Sequence, residues 1–62
     1  MSGQEDYKYL FDVDEEVRPI HGHYTGSRGR VVYRRDGKLA VVFTWDMSGI
    51  PVLYTPEQLE RV

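Results

Sequence analysis

Eight side chains between positions 21 and 38 have the chemistry needed to hold a polyanion: His21, His23, Tyr24, Arg28, Arg30, Arg34, Arg35 and Lys38. Guanidinium and ammonium groups neutralise phosphates, and rings such as Tyr24, Tyr33 or Trp45 stack on unpaired bases for about 1–3 kcal/mol each. That chemistry is nucleic-acid binding. A competing use for the arginines is internal, because opposite charges on facing strands stabilise a sheet. A third use belongs to Tyr24, Trp45 and Tyr54, which suit an aromatic surface docking a protein partner.

Other chemistry is poorly supplied. His21-Gly22-His23 projects two imidazoles the same way from an extended loop, but zinc needs three or four protein ligands and the sequence places no third. Glu15 and Glu16 are neighbours on opposite faces of a strand, a poor acid–base geometry. There is no P-loop, no nucleophile elbow and no cysteine, which also removes disulfides and thiolate zinc sites. The expectation is a non-enzymatic protein without metal or cofactor.

Charge distribution sharpens the binding reading. The net charge is −2. From Arg18 to Lys38, six basic residues face one acid, Asp36; before that stretch, six acids face only Lys8; after it, Asp46, Glu57 and Glu60 face only Arg61. The three segments carry −5, +5 and −2. Such a layout permits phosphate binding on one face of an acidic protein.

The elements that must position these groups are short strands. Phe11, Val13 and Val17 alternate with Asp12, Asp14, Glu16 and Arg18, so a half-buried strand is expected from Leu10 to Ile20. Glu15 falls in phase with the apolar residues, which places a bulge or the strand start near it. Pro19 cannot donate to a ladder and belongs at a strand end or edge. Gly22, Gly26 and Gly29 then mark a loop with several tight bends, ahead of a second strand, Arg30 to Arg35.

Asp36-Gly37 is a two-residue hairpin signal, because a type I′ turn needs positive φ at both positions. Lys38 to Trp45 is the third strand, with Leu39, Val41 and Phe43 inward and Trp45 at its end. Asp46 to Gly49 is a turn, and Ile50 to Tyr54 an edge-like fourth strand. Thr55, Pro56 and Gln58 form an N-cap, first helical position and capping-box partner, so one 3-10 turn is expected there. A final short strand ends at Val62, with Leu59 and Val62 filling the core.

The run Val17-x-x-Ile20-x-Gly22-x-x-x-Gly26-x-x-Gly29-x-Val31 resembles the KOW motif of ribosomal proteins and NusG-type elongation factors. Pro19 departs from the pattern, which has a β-branched residue there, and Asp14-Glu15 stand where a glycine and an acid are usual. The resemblance implies an all-β, SH3-like five-stranded antiparallel barrel with a short 3-10 turn before the last strand. It also implies RNA or a ribonucleoprotein as partner, with the glycines shaping the loop and Arg28 and Arg30 making contacts.

The C-terminal Pro51-Val52-Leu53-Tyr54, followed by Leu59-Glu60-Arg61, is similar to the plasmid-type, trimethoprim-resistant dihydrofolate reductase, an oligomeric SH3-like barrel. Val52 replaces the glutamine of that enzyme's Val-Gln-Ile-Tyr run, so the contact to cofactor and substrate is missing.

At 62 residues the chain suits one domain. Chains of this size bury only ~60% of their unfolded surface, and closing a sheet into a barrel also removes exposed edges. The expected organisation is a disordered tail over residues 1–9 and a single barrel over 10–62. No run is long and apolar enough for a transmembrane helix or signal peptide, so a cytoplasmic monomer with no membrane contact is expected.

Overall fold

Five antiparallel strands form one sheet in the computed structural model, which describes residues 11–62. They are β1 (Glu16–Pro19), β2 (Gly29–Arg35), β3 (Lys38–Phe43), β4 (Val52–Tyr54) and β5 (Leu59–Arg61). Their order across the sheet is β4-β3-β2-β1-β5, and a 3-10 turn, Pro56–Gln58, separates β4 from β5. The all-β class, the five strands and the turn before the last strand agree with the expectation from sequence. The expected tail, with Tyr7 and Tyr9, lies outside the described residues.

Every strand contributes to a single apolar cluster. Val17, Val31, Leu39, Val41, Phe43, Tyr54 and Leu59 are buried together with Phe11. Each full burial is worth roughly 1.5–3 kcal/mol, which offsets the ordering of a short chain. On β3 the inward residues are the expected Leu39, Val41 and Phe43. The strand ends at Phe43, and Trp45 stands in the following turn, 53% exposed.

The first strand is shorter than the alternation implied. Residues 12–15 form a turn in which Glu15 N–H donates to Asp12 O at 3.1 Å and Asp12 N–H donates to Glu15 Oε1 at 3.0 Å. Asp14 takes a positive φ of 79°. These local bonds outcompete extension of the strand, so Val13 is exposed rather than inward. The strand starts beside Glu15, the acid that falls in phase with the apolar residues.

At the other end Pro19, not Ile20, carries the burial: its ring is fully enclosed, and Ile20 is exposed. Pro19 is the last residue of β1, where a missing N–H is tolerated. Val62 is likewise exposed rather than in the core, while Leu59 is buried as expected.

Two turns follow their residues closely. Asp36 and Gly37 have φ of 51° and 77°, both positive as a type I′ turn requires, and close the β2–β3 hairpin at the Arg35–Lys38 pair. Thr55 N–H donates to Gln58 Oε1 at 2.9 Å, the reciprocal bond of a capping box, and Pro56 opens the 3-10 turn.

Candidate functional site

The loop of residues 20–28 is shaped by glycine for two different reasons. Gly22 and Gly26 hold φ of 91° and 84°, conformations that side chains resist. Gly29 has an ordinary φ but no room: an added Cβ would meet Val41 Cγ1 at 2.5 Å and Val42 O at 3.0 Å. Gly26 N–H donates to Pro19 O at 3.0 Å, and Ser27 N–H to Tyr24 O at 2.9 Å, so the loop curls back on β1.

That curl lays Tyr24 on the core. Its ring centroid is 5.0 Å from Phe43 and 5.6 Å from Trp45, and His23 meets it edge-on at 5.0 Å. Trp45 stacks nearly parallel on Phe43 at 5.5 Å. Thr44 N–H, 3.0 Å from Arg28 O, ties the loop's exit to the end of β3. His23, Tyr24, Arg28 and Trp45 therefore gather at one end of the sheet, and His21 is exposed in the same loop.

Arg34, Arg35 and Lys38 are elsewhere. They surround the hairpin tip with Asp36 and Gly37, and Leu39 and Pro56 complete a cleft of about 260 Å³. At about 3.3 Å per residue, the seven steps from Arg28 to Arg35 put the two cationic groups roughly 20 Å apart. Seven of the eight residues singled out from sequence thus divide between two ends of β2.

Arg30 lies between them and is committed internally. Its guanidinium is 3.8 Å from the Glu16 carboxylate, its cross-strand partner, and donates to Asp14 O at 3.4 Å. Arg18 and Glu60, also directly paired, are joined at 2.6 Å. Arg61 pairs with Glu15 and lies 4.8 Å over the Phe11 ring. The Asp12 N–H, together with the Arg61 guanidinium, holds the Glu15 carboxyl below the usual carboxylate range.

A charge ladder therefore crosses β2, β1 and β5, as the internal use of the arginines anticipated. Among the described residues, Arg28, Arg34, Arg35 and Lys38 make no ion pair.

Of the aromatic trio, Trp45 is open, Tyr24 is half-buried and Tyr54 is buried. Burial pushes the Tyr54 phenol up, with Tyr24 adding to the shift, and its ring meets Phe43 edge-on at 6.3 Å. Sequence reading did not single out Met47 and Ile50, which stand 97% and 66% exposed in the corner between β3 and β4. Only their position after Trp45 in a turn could have indicated them. No three His, Asp or Glu residues converge as metal ligands among the described residues. No protein-family model matches the sequence, and no curated protein matches it.

Proposed function

We propose that this chain is a non-enzymatic binding domain for RNA or a nucleoprotein assembly, within an SH3-like barrel of the KOW type. One observation carries the reading. The structure's ion pairs take up Arg18, Arg30 and Arg61 and leave Arg28, Arg34, Arg35 and Lys38 unpaired among the described residues. Arg28 follows a loop that carries Tyr24 against the open Trp45, a pairing of phosphate neutraliser and stacking surface. Hairpin cations at the far end of β2 lengthen the footprint.

The test is a fluorescence titration with labelled single-stranded RNA and a duplex across a salt series, with Trp45 as internal probe. Binding should weaken with salt at a slope corresponding to roughly three to four neutralised phosphates. The combined Arg28→Ala, Arg34→Ala, Arg35→Ala and Lys38→Ala variant should lose at least about tenfold in affinity and most of that slope. Absence of binding at low salt, or an unchanged slope in the variant, would remove RNA from consideration.

A protein partner is the second reading, favoured by the open Trp45, Met47 and Ile50 in the β3–β4 corner. Binding there would depend on Trp45→Ala and little on salt.

A further inference from the structure

Between β2 and β3 the register slips by one residue. Val31 faces Val41, yet Tyr33 faces Ala40, leaving Val32 as the extra residue of a bulge. Simple alternation from the buried Val31 would return Tyr33 to the core. The bulge reverses that phase, and Tyr33 stands 41% exposed. Bulges occur next to functional sites, where they re-aim a side chain.

Directly paired residues share a face of the sheet. Tyr33 pairs with Ala40 and Ala40 with Leu53, so these three make a row across β2, β3 and β4 on the face away from the core. Ala40 is itself fully covered, so the open surface of this row is the Tyr33 ring and the half-exposed Leu53. The next pair on the same face is Arg35 opposite Lys38. Neither cation makes an ion pair among the described residues.

We propose that this face is a base-stacking platform for single-stranded nucleic acid. One unpaired base lies on Tyr33 beside Leu53, and the adjoining phosphate meets Arg35 and Lys38. Charge complementarity selects the occupant: an apolar peptide would cover Tyr33 and Leu53 but leave two cations unmatched. A duplex keeps its bases stacked on each other and offers the ring nothing. The inference rests on the RNA-binding reading above and adds to it a strand preference and a contact residue.

The test compares Tyr33→Thr and Tyr33→Phe with the unsubstituted chain in titrations against labelled oligouridylate and an RNA duplex. Threonine is a good strand former, so the exposed site keeps its fold while losing the ring, which circular dichroism checks. Tyr33→Thr should weaken oligouridylate binding about 5- to 100-fold, leave duplex binding within about twofold and leave the salt slope unchanged. Tyr33→Phe should stay within about twofold. Arg35→Ala with Lys38→Ala should instead reduce the salt slope by about one to two.

Three results would overturn the platform. Equal binding by Tyr33→Thr and the parent places the RNA elsewhere while the broader reading stands. Equal losses on single strand and duplex exclude stacking. A dimer of the parent that Tyr33→Thr dissolves, seen by sedimentation, makes a second copy the occupant. If the parent binds neither RNA, the broader reading falls first and the platform with it.

Discussion

At Gly29 a methyl group would stand 2.5 Å from Val41 Cγ1 and 3.2 Å from Phe43 Cδ1, both buried in the core. Neither neighbour can give way without disturbing the contact between β2 and β3. At Gly22 and Gly26 nothing lies within 4 Å of the same added atom, and the obstacle is the positive φ. One motif thus uses glycine for space once and for backbone conformation twice. Gly29→Ala should cost about 1–3 kcal/mol as overpacking, whereas Gly22→Ala should cost about 1–2 kcal/mol as left-handed strain. Urea unfolding separates them from the parent by midpoint at unchanged slope. A second-site Val41→Ala should recover part of the Gly29→Ala loss and none of the Gly22→Ala loss, since only the former is a clash with Val41.

Among the elements, the β2–β3 hairpin joins fold and proposed function most directly. Asp36 holds φ at 51° at a hairpin tip whose cleft it lines together with three cations, Arg34, Arg35 and Lys38. Asparagine tolerates the same backbone conformation, so Asp36→Asn should keep the turn while removing the hairpin's acid. RNA affinity at low salt should rise a few-fold, with the thermal midpoint nearly unchanged. An unaltered affinity would detach the hairpin from the binding surface. This hairpin was legible in the sequence because Asp-Gly dictates both dihedrals. The strand before the glycine loop was only partly so: alternation continued through residues 12–15, but Asp12 and Glu15 bond locally and fold that stretch into a turn. The bulge at Val32 was not legible, because Val31, Val32 and Tyr33 are all good strand formers and no local residue marks where register slips. For the candidate site, sequence supplied the cations. Which of them find carboxylates depended on the pairing of β1 with β2 and β5, a long-range property.

Across the whole molecule, the segment charges of −5, +5 and −2 are not left to oppose one another at random. Strand β1, between β2 and β5, carries Glu16 toward Arg30 on one side and Arg18 toward Glu60 on the other, and Glu15 reaches Arg61. Exposed pairs of this kind contribute about 0–1 kcal/mol each, so the ladder fixes strand neighbours more than it sets stability. Glu15 is the least exposed of the carboxylates in the ladder, with 23% of its side chain open, and its acidity is lowered first by the Asp12 N–H and further by Arg61. A carboxyl whose folded value lies below its unfolded value of about 4.3 adds stability above that pH. The contribution is lost as pH falls through the folded value. Gln at position 15 retains an oxygen for the Asp12 N–H but carries no charge. Urea midpoints of the parent and Glu15→Gln should therefore differ at pH 7 and converge as pH drops below about 4. A gap that stays constant from pH 7 to pH 3 would assign the residue's effect to shape alone and remove charge from the account of how the first strand is anchored.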